Sequence, residues 1–293
     1  MSQPQPDTPM STTDEVVDRF PNRTRRSASI PRRLVAEGKY HLLPVYALLT
    51  TSDLAREGIR NSGSFRFADH IYRNEPSGRY GVGRVLDRVL LGLRGARSLR
   101  SRFLHSRVEI LRALEEMDAG ANHATVVSVP CGIARDLHDV AQTLRGSSRG
   151  KYGNVRFVGI DLDPEPLMLS RDLTRGHQSF DFRCADALAP GSIPRDVDVI
   201  VSLGFGDFLP DGILYDFYRR CLAALRPGGR FITSAMDRDR ISDYLARELA
   251  ELHAHYRSTD QLTALLTSAG FVSVRTTMDS FGLQTLAVAE KGQ

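Results

Sequence analysis

Hydrophobic positions follow two different rhythms along the 293-residue chain. Before about Gly120 they recur at helical spacing, and after it they come in short runs divided by turns. Over 32–59, Leu42, Leu43, Val45, Tyr46, Leu48 and Leu49 supply an apolar helical surface that Pro44 interrupts. The stretch 61–81 reads as turn-rich, and its Phe65, Phe67, Ile71, Tyr72 and Tyr80 suit either the wall of a cleft or a satellite core. Helices are predicted over 82–91 and 98–117, the second carrying Phe103, Val108, Leu111 and Leu114 near one face.

Beyond Gly120, strands are predicted at 125–129, 155–160, 179–183, 197–203, 230–235, 271–277 and 283–289. The run 197–203 is apolar at five of its seven positions, which suits a strand covered on both faces. Helices are expected at 136–144, 164–174, 209–225 and 259–269. Ser258 or Thr259 caps the last and Gly270 stops it, while Pro227-Gly228-Gly229 stops 209–225. Alternating strand and helix implies an α/β fold: a doubly wound, seven-stranded, mostly parallel sheet with helices on both faces. The division is then 1–30 loosely packed or disordered, 31–120 a mainly helical extension, and 121–293 the α/β core.

Composition narrows the class only a little. Hydrophobic residues make up 41% and charged residues 25%, ordinary for a globular protein. No apolar run suits a membrane span, and the polar N-terminus lacks a secretory pattern, so a cytoplasmic protein with no membrane partner is expected. Cys131, Cys184 and Cys221 are too few and too scattered for a disulfide framework or zinc site, and no metal is expected. Charge changes the picture more. Between Arg79 and Arg112 stand nine arginines against Asp87 and Glu109, a local +7 that is either a solvated helix face or a surface for an anionic substrate, nucleic acid or partner.

Candidate chemistry lies just after the strands, where open α/β sheets bind ligands. The first strand runs into Ser128-Val129-Pro130-Cys131-Gly132, whose glycine permits close backbone approach to a ligand. The second ends at Asp161-Leu162-Asp163. Asp161 is placed to accept from ribose hydroxyls, and Asp163, before Pro164, to cap the next helix. The third leads to Asp186-Ala187, a carboxylate suited to the adenine amine. The fourth leads to Leu203-Gly204-Phe205-Gly206-Asp207, a turn with aromatic walls. No G-x-G-x-x-G stands in the first turn, so a nicotinamide-binding domain is disfavoured.

In these turns, and in Leu225-Arg226-Pro227-Gly228-Gly229-Arg230-Phe231 and Ser268-Ala269-Gly270-Phe271, residues 124–290 resemble the class I S-adenosylmethionine-dependent methyltransferases. Of that family's glycine motif only Gly132 matches, Ser128, Pro130 and Ala134 standing at its other positions. The resemblance implies S-adenosylmethionine as cofactor, held by Ser128, Pro130, Cys131, Gly132, Asp161, Leu162, Asp186, Ala187 and Leu203. Methyl transfer needs a base only when the acceptor must lose a proton. Asp207 is the first candidate by position, with Glu165 and Tyr215 behind it. The extension is expected to form a lid and substrate wall, with Tyr72, Arg79, Tyr80 and Phe205 as substrate contacts. His70 in that stretch is read as structural.

The expected acceptor is a small molecule, with an anionic or isoprenoid-type compound gripped by the extension's arginines as a refinement. A nucleic-acid acceptor is set aside because no N/D-P-P-Y/F tetrad follows the fourth strand. A non-catalytic binding protein of the same fold is the other alternative, motivated by Ser128, Pro130 and Ala134. A homo-oligomer is left open.

Overall fold

A computed structural model describes residues 30–61, 63–116, 123–146, 154–250 and 252–293. Residues 1–29, expected to be loosely packed, and the expected boundary at 120 lie outside them.

Seven strands form one sheet: β1 (Ala124–Ser128), β2 (Val155–Asp161), β3 (Phe180–Cys184), β4 (Val197–Ser202), β5 (Leu225–Met236), β6 (Val272–Met278) and β7 (Gln284–Glu290). Their spatial order is β3-β2-β1-β4-β5-β7-β6. β1 pairs in parallel with β2 and β4, and β7 runs antiparallel to both β5 and β6. Strand order therefore reverses between β1 and β4, which opens a crevice at their carboxyl ends.

Period-two alternation explains why the sheet is covered on both faces. Val127, Val158, Ile160, Ile200 and Phe231 enter one core, and their neighbours Val126, Phe157, Val199, Val201 and Ile232 enter another. The helices α9 (Asp211–Ala224) and α11 (Thr259–Ala269) supply the first core, where Phe231 lies against Tyr218 and Phe271. The second core is covered by α6 (Arg94–Glu116), α7 (Arg135–Gly146) and α8 (Pro164–Leu173). Ser258 caps α11 in a reciprocal box with Gln261, and Gly270 closes it at φ 103°.

The extension departs from the sequence reading in three places, and the core in two. The 32–59 stretch is three helices, α1 (Ile30–Ala36), α2 (Leu42–Leu49) and α3 (Asp53–Arg60). Pro44 sits in the first turn of α2, where its missing N–H has no intrahelical partner to lose. The stretch read as turn-rich holds a helix, α4 (Phe65–Arg73), capped by Ser64 and ended by Asn74 in the left-handed region. After α5 (Val82–Gly92), α6 buries Phe103, Ser106, Ile110 and Ala113, while Val108, expected inside, is 51% exposed. In the core, Pro227-Gly228-Gly229 lies within β5 rather than before it, and α10 (Arg240–Ala250) was not anticipated.

Candidate functional site

The crevice is built from backbone that the strand ends hold in place. Cys131 N–H donates to Ile160 O at 2.8 Å, and Val129 N–H to Val201 O at 2.9 Å, so the turn after β1 is tied to both neighbouring strands. Asp161, 5% exposed, joins two turns. Its Oδ2 accepts from Gly132 N–H at 2.8 Å and its Oδ1 from Asp163 N–H at 3.0 Å. Asp163 caps α8 by accepting from Glu165 N–H at 2.9 Å, as its place before Pro164 suggests. Ala185 N–H donates to Asp161 O, and Asp186 accepts from Leu188 N–H at 2.8 Å, which fixes the turn after β3. The expected cofactor residues Ser128, Pro130, Cys131, Gly132, Asp161, Leu162, Asp186, Ala187 and Leu203 thus stand at or just after the carboxyl ends of β1, β2, β3 and β4, with Ala187 turned into the buried core. Burial pushes the Cys131 thiol well up, with Asp161 and Asp136 adding to the effect, so it stays neutral.

The helix α4 lies across this crevice. A side chain at Gly132 (φ 51°) would meet Phe65 Cβ at 3.4 Å. Arg66 pairs with Glu165 at the start of α8, and Asp69 pairs with Arg135 at the start of α7. Tyr72 stacks on Phe103 at 4.5 Å and accepts a hydrogen bond from Arg102 Nη2 at 3.0 Å. One nine-residue helix therefore touches the elements that follow β1 and β2 and reaches the arginine beside β4.

That arginine is the residue sequence reasoning missed. Arg102 is 6% exposed, and its guanidinium lies between Tyr72, Gln284 Oε1 at 3.3 Å and Asp207 Oδ2 at 3.8 Å. A Cβ on Gly204 (φ 73°) would sit 2.9 Å from Arg102 Nη1, so the turn after β4 closes on the guanidinium only because it is glycine there. Asp207 is buried and accepts from Met236 N–H at 3.2 Å. Burial raises its carboxyl to about 6, against the opposing pull of Arg102, the Met236 N–H and Arg257. Helical spacing was the available signal: position 102 falls on the buried stripe of α6 with 103, 106, 110 and 113.

The other expected side chains sit elsewhere. Glu165 is exposed in its pair with Arg66. Tyr215 is half-buried against the core of α9, and Phe205 packs edge-on against Phe217 at 5.2 Å. Arg79 is exposed and Tyr80 is 86% exposed, and no contact described brings either to the strand ends. His70 pairs with the buried Asp87, which also accepts from Ser52 Oγ, Leu54 N–H and Ser77 N–H and so fastens α3, α4 and α5 together. The basic segment is divided. Arg94, Arg97 and Arg100 hold Phe281 or Leu91, and Arg107 and Arg112 pair with Asp139 and Glu109. Among the described residues no group of three or more His, Cys, Asp or Glu side chains could hold a metal.

A sheet in this order, with a glycine turn after β1 and carboxylates after β2 and β3, defines a class I S-adenosylmethionine-dependent methyltransferase fold. The chain belongs to the family described as "Putative methyltransferase", whose model matches residues 51–291 and so takes in α4, α5 and α6. It is 26% identical over 153 residues to the 2-methyl-6-phytyl-1,4-hydroquinone methyltransferase of Synechocystis, a match covering 50% of this chain and 44% of that one. The chain spans less than half the length of the curated relatives it matches, 39% and 44%. Among solved structures it is similar to "a possible exported protein" from Bordetella parapertussis, with TM-score 0.70, 24% identity, and 84% and 86% of the two chains covered. It also shares its fold with the Synechocystis magnesium protoporphyrin IX methyltransferase solved with S-adenosylhomocysteine, at TM-score 0.51 and 12% identity, covering 76% and 93%.

S-adenosylmethionine is the cofactor of this class, and the residues present fit it. A carboxylate accepts about four hydrogen bonds, so the two backbone donors on Asp161 are compatible with a ribose diol. Arg102 Nε and, at the end of β4, Ser202 Oγ are buried with no hydrogen-bond partner among the described residues, as polar groups that meet a ligand would be.

Proposed function

We propose that the protein transfers a methyl group from S-adenosylmethionine to a small molecule bearing an acidic hydroxyl or carboxyl group. The observation that carries this reading is the buried Arg102–Asp207 pair beside the turn after β4. The cofactor supplies an electrophilic methyl group on a sulfonium. Asp161 and Asp186 would hold the adenosine, and the backbone around Cys131 and Gly132 would lie along the methionine part. Arg102 would receive the acceptor's oxygen and stabilise its negative charge, and Asp207, with its carboxyl near 6, would take the proton. Tyr72 keeps Arg102 in position, and α4 excludes water from above. The anionic-acceptor idea therefore moves from the exposed Arg79 to the buried Arg102.

The test uses methyl-labelled S-adenosylmethionine with a panel of phenols, hydroquinones and carboxylic acids, plus bulk RNA. Label should pass to a small acid or phenol, and Arg102→Met or Asp207→Ala should lower kcat about 100-fold or more. Transfer to RNA alone, or full activity in Arg102→Met, would overturn the reading.

A further inference from the structure

The helix α5 turns one face inward and leaves another uncovered by any of the described residues. Gly83, Asp87 and Leu91 are buried, whereas Val82, Val85, Val89 and Leu93, just past its end, are 57%, 60%, 56% and 51% exposed. At about 100° per residue these four fall within an arc of roughly 80°. The neighbouring α2 adds Val45 and Leu48, 39% and 49% exposed.

Arg88 and Arg84 stand one turn apart on the flank of the helix, about 60° and about 100° around it from the edge of this stripe, and Arg79 precedes the helix, all three exposed. Among the described residues no carboxylate pairs with any of the three, unlike the arginines further along the segment. The helix's one acid, Asp87, is buried, so the exposed face carries positive charge and apolar surface only. At its entrance Tyr80 projects into solvent from the left-handed region, φ 57°, a conformation uncommon for a residue with a bulky side chain.

Charge complementarity selects the occupant. In a two-fold dimer through this face each copy would set Arg84 and Arg88 toward the same arginines of the other. An anionic bilayer offers both an apolar layer and a plane of phosphates.

We propose that α5 docks the protein peripherally on anionic lipid membranes. Val82, Val85, Val89 and Leu93 enter the acyl boundary, the three arginines meet headgroup phosphates, and Tyr80 lies at the interface. No helix among the described residues is long and apolar enough to cross a membrane, so the contact is with the surface. This departs from the sequence expectation of no membrane partner, and it stands independently of the acceptor.

The test is flotation of the full chain with vesicles of phosphatidylcholine alone or mixed with phosphatidylglycerol. Binding should require phosphatidylglycerol and fall as ionic strength rises from about 0.1 to about 1 M, where the screening length shrinks from roughly 10 to roughly 3 Å. Arg84→Ala with Arg88→Ala, and separately Val85→Asp with Val89→Asp, should each reduce partitioning about tenfold or more at an unchanged melting temperature. Failure of the folded protein to float, salt-insensitive binding, or equal binding by the Val85→Asp/Val89→Asp protein would overturn the proposal. So would light scattering that shows a dimer which those aspartates break, since the face would then join two copies.

Discussion

Arg102 and Asp207 form a coupled charge whose balance depends on pH. The Asp207 carboxyl is raised to about 6 in the folded protein, above the ordinary aspartate value near 3.9. The folded state therefore holds a proton that the unfolded state has lost between about 4 and 6, and the contribution of this group to stability falls as pH rises through that window. Below about 6 Asp207 is neutral and Arg102 keeps its full charge for an oxyanion; above it the ionised carboxylate competes. Binding of an anionic acceptor should weaken as pH rises through about 6, and Asp207→Asn should abolish that inflection. A pH series of acceptor affinity for both proteins checks it, and an inflection that survives in the variant would assign the titration to another group.

The α4 helix couples the extension to the crevice through Phe65, the Arg66–Glu165 and Asp69–Arg135 pairs, and Tyr72. Asp69→Ala should loosen this cover, raising the dissociation rate of S-adenosylhomocysteine severalfold in stopped-flow traces, at a stability cost of about 1–2 kcal/mol because the pair is part-buried and Arg135 can turn to solvent. Asp87→Ala should act oppositely. It strands the buried donors of Ser52, Leu54 and Ser77 and should cost about 3 kcal/mol or more in denaturant unfolding. The strands were legible because short runs rich in Val and Ile, such as 199–201, stand between turn residues, and the places of Asp161 and Asp186 at and just after the ends of β2 and β3 followed from those strands. α4 was not legible because only Ile71 is fully buried in it and its flanks are rich in Gly, Ser and Pro. Arg102 was hidden for a different reason: in a run of nine arginines, charge masked the helical spacing that puts one of them inside.

The whole molecule combines a sheet whose crevice fits an adenosyl cofactor, a helical cover that bears on it, and an outward basic and apolar face on α5. The two-sided cores make the sheet a rigid platform. Phe231, fully buried between Tyr218 and Phe271, should cost about 3–5 kcal/mol as Phe231→Ala, read by the shift in denaturation midpoint. On the proposed reading, the strand-end carboxylates and the Gly132 turn bind S-adenosylmethionine. Titration calorimetry of the full chain measures this directly. The expected result is saturable one-to-one binding that Asp161→Ala weakens about tenfold or more, given the strength of hydrogen bonds to a charged group, while the variant stays folded by circular dichroism. No heat of binding at millimolar cofactor, or an unchanged affinity in Asp161→Ala, would contradict it.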